Sequence, residues 1–178
     1  MTESFTPQNS ALVLVDYQVG TLQLIRTRLA DESLRNAVIL AKAAKALGIP
    51  VVLTSSQEDH IQGAIAPALQ AVLPEAHAQR VKRPGIVNAW ADPTFKAAVQ
   101  ATGRRMLIMG GVTTDICLVF PSISAVKDVS RRRMEREGVV LTTTNTVVAE
   151  LVQDWSTPEG SELVKLLAAT APTMQAAE

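Results

Sequence analysis

"RMLIMGGVTTDICLVF" (residues 105–120) joins a predicted strand to a predicted helix. Its first part is a short apolar run that stops at Gly110 and Gly111, which is typical of a strand buried on both faces. Helical spacing begins near Thr114, and the only cysteine of the chain, Cys117, follows within that helix. A strand that leads into a helix in this way is the repeating unit of a parallel α/β sheet.

The same unit recurs along the rest of the chain. Apolar strands are predicted at 11–15, 49–54 and 139–144, and helices at 31–47, 67–74, 93–102 and 159–169. Asp92 is predicted to cap the helix that follows it, with Pro93 at a favoured first position. We therefore predict one domain over residues 1–178. Its fold class is α/β, with a three-layer α/β/α arrangement around a mostly parallel, doubly wound sheet.

The composition bears on the classes of partner and on the compartment. Lys plus Arg and Asp plus Glu both number 17, so the formal net charge is zero and no basic excess indicates a nucleic-acid partner. No apolar run reaches the roughly 18 residues of a membrane span. A single cysteine cannot form an internal disulfide, which fits a reducing compartment. We expect a soluble, cytoplasmic protein that binds neither nucleic acid nor membrane.

Cys117 lies where a ligand would bind, because ligands of such folds sit at the carboxyl ends of the strands. A helix that starts near Thr114 would direct free backbone N–H groups and its positive dipole end at the thiol. We expect these groups to lower the pKa of the thiol and to be able to hold an oxyanion. The alternative is a buried structural cysteine, and position alone favours that alternative.

Two further strand ends carry charged residues. Asp16 follows the first strand, where it could cap a helix, lie in solvent or exchange a proton with a nearby thiol. Lys82 and Arg83 lie in a stretch that Pro84 keeps extended. Their side chains should point to opposite sides, so at most one can face a given site, where it would stabilise a thiolate. The alternative for either residue is an ordinary surface cation.

Three motifs connect these residues in order: "ALVLVDYQVG" around Asp16, "RPGIVNAW" from Arg83, and "GGVTTDIC" up to Cys117. With the segments between them, the pattern resembles the isochorismatase-like cysteine hydrolase superfamily, and within it the YcaC-like branch. The resemblance implies a catalytic triad of Asp16, Arg83 and Cys117. Lys82 is the fallback for the basic position, because most of the superfamily uses lysine there.

The resemblance also implies details of the site. A cis peptide would join Val112 to Thr113, and backbone N–H groups near Thr113 and Cys117 would form an oxyanion hole. The candidates for contact with the substrate are Gln18, Asn88, Trp90 and Phe120. For the two aromatic residues among them, as for Tyr17, packing in the core is the alternative.

We predict no metal and no cofactor. Metal-binding relatives carry Asp and His ligands after the second strand. Here His60 is isolated in the corresponding loop, and His77 lies far along the chain. Two histidines without ligand spacing are typical of surface residues rather than of a metal site.

The implied function is that of a metal-free cysteine hydrolase. It would act on an amide or a related small carbonyl compound through a thioester on Cys117. The resemblance further implies a homo-oligomer, up to an octamer. Two alternatives stay open. One is a non-catalytic oligomeric scaffold or small-molecule binding protein of the same fold. The other is a redox sensor, which would need a resolving thiol from another chain.

One part of the superfamily pattern is absent. Relative to the family, a segment with one central strand is missing between Asp128 and Val129, so that 114–137 could form one long helix. Loss of a central parallel strand would leave unpaired strand edges, which is costly. The shortening could be natural or engineered, or the sequence could omit residues of the protein. The intact family pattern on both sides favours omission.

Overall fold

The computed structural model, which describes residues 4–25, 30–129, 142–154 and 157–168, is built on a parallel sheet. Its strands are β1 (Ser10–Val15), β2 (Val51–Ser56), β3 (Val81–Arg83) and β4 (Met106–Gly111). They lie side by side in the order β3-β2-β1-β4. The central strand is therefore the first in the chain, and the later strands are added on both sides of it, as in a doubly wound fold.

Helices connect the strands. Their bounds are α1 (Val19–Leu22), α2 (Ala30–Ala46), α3 (Pro67–Val72), α4 (Pro74–Ala78), α5 (Pro93–Ala101), α6 (Val119–Val129), α7 (Thr144–Val152) and α8 (Pro158–Ala168). A 3-10 turn (Ala89–Ala91) precedes α5, and a π-helical turn (Thr114–Leu118) precedes α6. Within the described ranges, none of the helices is long and apolar enough to cross a membrane.

The core is divided by β1, every residue of which is buried. Because side chains alternate along a strand, Leu12 and Leu14 pack on one face of the sheet, against α2 and α7. Val13 and Val15 pack on the other face, against α5 and α6. The continuous apolar run of β1 thus reflects burial on both faces. The predicted three-layer α/β/α class with a mostly parallel sheet is confirmed.

The start of α5 follows from local sequence. Asp92 Oδ1 accepts hydrogen bonds from the backbone N–H groups of Thr94 and Phe95, at 2.9 and 3.0 Å. Pro93 occupies the first turn, where a missing N–H costs nothing. The predicted capped helix is confirmed to within one residue at its end.

The predicted last strand, 139–144, is wrong at its carboxyl end. Residues 139–141 lie outside the described part of the chain, whereas Thr144 is the first residue of α7. The physical reason is a helix cap, because Thr143 Oγ1 accepts a hydrogen bond from the backbone N–H of Thr146 at 3.3 Å. A β-branched residue that suits a strand therefore serves here as the start of a helix.

The position of the missing segment lies inside a helix. α6 runs through Asp128 to Val129 without a break, and β4 pairs only with β1 among the described residues. The rest of the long helix predicted for 114–137 falls outside the described ranges after Val129. That residues 1–178 form a single domain stays a prediction.

Candidate active site

Three charged or nucleophilic side chains meet at the carboxyl ends of the strands. Asp16 follows β1 directly, Arg83 is the last residue of β3, and Cys117 lies in the π-helical turn after β4. Because all four strands are parallel, their carboxyl ends lie at the same edge of the sheet. Residues that are far apart in sequence therefore converge on one small region.

Asp16 and Arg83 form a buried ion pair. Arg83 Nη2 donates to Asp16 Oδ1, and only 2 and 6% of these residues is exposed. Arg83 Nε also donates to Thr54 Oγ1 at 3.0 Å, and Nη1 donates to the Ile86 carbonyl at 2.6 Å. Each guanidinium nitrogen thus has an acceptor, which a buried charge requires. The result is a rigid, neutral pair at the end of β1.

The backbone of Asp16 is itself unusual. Its φ is +60°, in the left-handed region that non-glycine residues seldom adopt. Asp16 N–H continues the ladder to the Thr54 carbonyl at 3.0 Å, while its own carbonyl accepts from Gln18 N–H at 2.7 Å. This tight turn ends β1. Such conformations are concentrated at functional sites.

Lys82 lies on the other side of β3. Its Nζ is 3.1 Å from Glu58 Oε2, and its side chain is 61% exposed. Alternation along the extended strand explains why neighbouring cations have different surroundings. The structure brings Arg83, and not the fallback Lys82, to Asp16.

The thiol of Cys117 is buried beside Thr113 and Asp16. Thr113 Oγ1 donates to Cys117 Sγ at 3.4 Å and accepts from the Cys117 backbone N–H at 3.3 Å. Burial raises the pKa of the thiol to about 11; the charge of Asp16 and its hydrogen bond also raise it, while the hydrogen bonds from Thr113 lower it. The thiol is therefore protonated at neutral pH in the free protein.

The predicted lowering of the thiol pKa is therefore wrong. That expectation assumed free backbone N–H groups at a helix start. Instead, Cys117 lies in a π-helical turn, its N–H is taken by the Thr113 hydroxyl, and Leu118 N–H donates to the Thr113 carbonyl at 3.2 Å. Burial of the thiol and the nearby Asp16 carboxylate raise the thiol pKa by more than the hydrogen bonds from Thr113 lower it.

Gly111 allows the π-helical turn to lie against β4. A Cβ at this position would come within 3.1 Å of the Cys117 carbonyl carbon and of the Leu118 nitrogen. Both of these are backbone atoms, so a side chain would push the turn away from the strand. π-Helical turns are frequent at functional sites, and this one positions the thiol.

The predicted cis peptide is not present. The described residues contain no cis peptide bond, so the bond between Val112 and Thr113 is trans. Val112 is buried, and the Thr113 side chain turns toward Cys117. The oxyanion hole assigned to N–H groups near Thr113 and Cys117 stays a prediction.

The four candidate substrate contacts have different surroundings. Gln18 is wholly buried; its Nε2 donates to the Ser56 carbonyl at 2.8 Å and to the Gly63 carbonyl, and its Oε1 accepts from the Ser56 N–H at 2.8 Å. Its amide therefore ties the loop after β1 to the end of β2. Whether Gln18 also contacts a substrate stays a prediction.

The other three candidates lie near α6. Asn88 Nδ2 donates to Ser124 Oγ at 2.9 Å, and its Oδ1 accepts from the Trp90 N–H at 3.1 Å. Trp90 packs edge-on against Phe95, with ring centroids 6.2 Å apart. Phe120, by contrast, is 44% exposed. Of the four candidates, Phe120 presents the largest free surface to a ligand.

Sequence reasoning missed two hydroxyl groups of the site. Thr54 holds Arg83 Nε and donates to the Val81 carbonyl at 2.9 Å, and Thr113 contacts the thiol through its side chain rather than only through its backbone. A polar residue at the end of an apolar strand was the available signal for Thr54. The Thr113 contact depends on the π-helical turn, for which the sequence gives no signal.

Tyr17 lies close to the same site. Its side chain is buried, and burial raises the pKa of its phenol to about 12, with a smaller upward contribution from Cys117. A Cβ on Gly110 would come within 3.2 Å of the Tyr17 hydroxyl. The phenol therefore lies next to Gly110 at the end of β4, among the core residues on the face of the sheet that packs against α2.

No group of three or more His, Cys, Asp or Glu side chains that could hold a metal ion occurs among the described residues. His60 is exposed in the loop after β2, and His77 lies in α4.

Comparison with known proteins gives consistent matches. A family model described as the isochorismatase domain matches residues 10–128, and so ends at the point where the missing segment was placed. The protein "Probable hydrolase YcaC" of Escherichia coli (strain K12) is 34% identical over 167 residues, which cover 83% of this chain and 79% of that protein.

Two solved structures share the fold and about a third of the sequence. One is YcaC from Pseudomonas aeruginosa with hexane-2,5-diol and covalent acrylamide; it has a TM-score of 0.81 and 31% identity, covering 95% of this chain and 98% of that one. The other is the Escherichia coli YcaC gene product, described as an octameric hydrolase of unknown specificity, with a TM-score of 0.81, 31% identity, and coverage of 95% and 89%. The chain belongs to the isochorismatase family, and within it to the YcaC-like hydrolases.

Proposed function

We propose that this hydrolase cleaves an amide or a related small carbonyl compound through a thioester on Cys117. One observation carries the proposal: the Asp16 carboxylate interacts with the Cys117 thiol while Arg83 holds it in place. A nucleophile, a proton acceptor beside it and a group that orients the acceptor are the parts that covalent catalysis needs.

In the first half of the reaction, the Cys117 sulfur attacks the carbonyl carbon and its proton passes to Asp16. The carbonyl oxygen becomes an oxyanion, which backbone N–H groups of the π-helical turn hold once the Thr113 hydroxyl releases the Cys117 N–H. Asp16 then returns the proton to the leaving nitrogen. The C–N bond breaks, an amine or ammonia departs, and the acyl group remains on sulfur.

In the second half, water replaces the amine. Asp16 takes a proton from the water as its oxygen attacks the thioester carbonyl. The C–S bond breaks, the sulfur regains a proton, and the carboxylic acid leaves. The raised pKa of the thiol suits this scheme, because the proton moves to Asp16 during attack and a resting thiolate is not required.

Arg83 acts as a fixed charge. An arginine keeps its proton in proteins, so it orients Asp16 and balances its charge rather than exchanging protons. Its three anchored nitrogens leave the guanidinium little freedom to move toward a substrate. A lysine at this position could not make the same set of contacts.

Relatives support parts of the proposal. The Pseudomonas aeruginosa YcaC structure holds covalent acrylamide, a small amide with an electrophilic carbon. The Escherichia coli relative is an octameric hydrolase, and we propose that this chain also forms a homo-oligomer. The cytoplasmic location stays a prediction.

The test is a panel of small amides and esters together with acrylamide as an electrophilic probe. Wild-type protein should release amine or ammonia from at least one amide and gain the mass of acrylamide on Cys117. Cys117→Ala and Asp16→Asn provide the controls for turnover. Hydrolysis that survives Cys117→Ala unchanged would rule out the thioester.

A non-catalytic binding protein is the second candidate function. The observation in its favour is the raised pKa of the Cys117 thiol, about 11, because a thiol that stays protonated at neutral pH is a weak nucleophile. It predicts saturable binding of small carbonyl compounds with no product at any pH, and the same panel separates the two functions.

A further inference from the structure

The exposed apolar side chains are concentrated at one end of the sheet. In the described part of the chain, the large hydrophobic residues that are exposed are Val19, Leu24, Ile61, Ile86, Val87, Ile116 and Phe120. All seven lie between the carboxyl end of a strand and the first turn of a helix that follows it, and Phe120 lies in that first turn of α6. None lies in a segment that leads into the amino end of a strand. We call this set the apolar rim. Scattered exposed hydrophobic residues are ordinary, but their restriction to the end that carries Cys117 is not.

Every strand contributes to the apolar rim. Its first two members follow β1, Ile61 follows β2, and Ile86 with Val87 follows β3. The remaining two flank the nucleophile in sequence, one directly before Cys117 and one three residues after it. The rim is therefore formed by the segments after all four strands rather than by one helix.

The connections after β1 and β2 are fastened to each other. Val19 N–H donates to the Ala64 carbonyl at 2.9 Å, and Gly20 N–H donates to the Gln62 carbonyl at 2.8 Å. A Cβ on Gly20 would come within 1.9 Å of the Ile61 carbonyl oxygen. The apolar side chains on these two loops are thus presented on an ordered surface, as a binding surface requires.

The charges at the site are already compensated. Every guanidinium nitrogen of Arg83 has an acceptor, and Asp16 is paired with it. Lys82 points away and pairs with Glu58. Asp59, in the connection after β2, is exposed and acidic. An anionic substrate would therefore meet Asp16 without a described cation free to bind it.

We propose that the substrate is an uncharged amide with an apolar substituent, which the apolar rim binds. The inference rests on the proposed function and names its substrate class. Each methylene that the rim removes from water should strengthen binding roughly fourfold when it is fully buried. A carboxylate at the end of the same substituent should cancel that gain, because it would lose its hydration beside apolar side chains.

The test compares alkylation rates of Cys117 rather than turnover. The probes are acrylamide, N-pentylacrylamide and its matched anion 6-acrylamidohexanoate, each normalised to its rate with glutathione. We expect N-pentylacrylamide to react at least about tenfold faster than the anion, and faster than acrylamide itself. Equal rates for the three probes, or a faster anion, would overturn the substrate class.

Variants of the apolar rim test whether the apolar substituent binds at the rim. Phe120→Ser should reduce the preference for N-pentylacrylamide over acrylamide, whereas the matched variant Phe120→Leu should retain most of it. Native mass measured on both variants tests a second copy of the chain as the occupant. A change of assembly with an unchanged probe preference would make the rim a subunit interface and overturn the proposal.

The two proposals fail in different ways. If Cys117 reacts faster with N-pentylacrylamide than with the anion but no amide is hydrolysed, the proposed function is wrong. The apolar rim then remains a binding surface for uncharged amides. If amides are hydrolysed with no dependence on chain length or charge, only the substrate class fails.

Discussion

Two ion-pair clusters occupy opposite sides of the third strand, and they show how placement decides what the same chemistry does. Asp16 and Arg83 form a buried pair that also contacts the Cys117 thiol. Glu58 pairs with Arg80 at 2.6 Å and with Lys82 at 3.1 Å, and it accepts a hydrogen bond from the Ser55 hydroxyl at 2.7 Å rather than from the Cys117 thiol. Both clusters join a carboxylate to a guanidinium. We attribute catalysis to the first and attachment of the loop after β2 to the second.

The largest expected effect comes from the carboxylate beside the thiol. Asp16→Asn should reduce turnover by about 10²–10⁴-fold, because the proton acceptor is lost. The same change should lower the thiol pKa from about 11, because the charge of Asp16 raises it. Iodoacetamide alkylation at about pH 8 should therefore become faster in the variant as hydrolysis is lost. Alkylation that slows would contradict the contact.

Replacing the arginine and replacing the lysine on β3 should change the stability of the protein by different amounts. Arg83→Gln leaves the Asp16 carboxylate buried without its partner and should lower the free energy of unfolding by about 3–5 kcal/mol. Lys82→Gln removes an exposed partner of Glu58 and should cost at most about 1 kcal/mol. Urea unfolding of both variants measures the difference. Equal losses would show that the two cations are equivalent.

The outer cluster should affect stability and its pH dependence rather than activity. The hydrogen bond with Arg80 holds the pKa of Glu58 at about 2, below its ordinary 4.5. Its contribution is therefore complete above about pH 4.5 and is lost as the pH falls through about 2. Glu58→Gln should lower the free energy of unfolding by roughly 1–3 kcal/mol at neutral pH. The variant should also lose less stability than the wild type as the pH falls into the acid range.

Urea unfolding from neutral to acid pH measures the Glu58 effect. Asp59→Asn is the matched control, because Asp59 is exposed next to Glu58, and its change should stay within about 0.5 kcal/mol. A large loss of turnover in Glu58→Gln with little loss of stability would reverse the roles assigned to the two clusters.

The smallest expected effect concerns the hydroxyl beside the thiol. Thr113→Val removes the side-chain hydrogen bond that lowers the thiol pKa and leaves the backbone one, so the pKa should rise by roughly half a unit. Thr113→Ser keeps the hydroxyl and should stay close to wild type. The pH dependence of alkylation distinguishes them, and an identical profile for Val and Ser would show that the hydroxyl has no influence.

Local signals explain what the sequence could predict. The α5 helix follows from Asp92 and Pro93, and the buried β1 follows from its apolar run, because both depend on neighbouring residues. The family motifs indicate Asp16, Arg83 and Cys117, and the parallel strands bring these residues to one edge. The alternation of a strand also separates Arg83 from Lys82.

What the sequence could not predict depends on contacts between distant residues. The direction of the thiol pKa is set by burial and by Asp16, which follows a different strand, and not by the helix that contains Cys117. The cap at Thr143 converts a strand-like sequence into a helix start. The anchoring of Arg83 by Thr54 requires that β2 lie between β1 and β3.

The most direct test of the thioester mechanism is a search for the acyl group on Cys117 during turnover. Wild-type protein is mixed with an amide substrate, quenched in acid within seconds, and examined by intact mass and peptide mapping. We expect an added acyl mass on the peptide that carries Cys117, which decays as product forms and is absent in Cys117→Ala. Product formation by wild type with no acyl mass at any time, and by Cys117→Ala at the same rate, would contradict that mechanism.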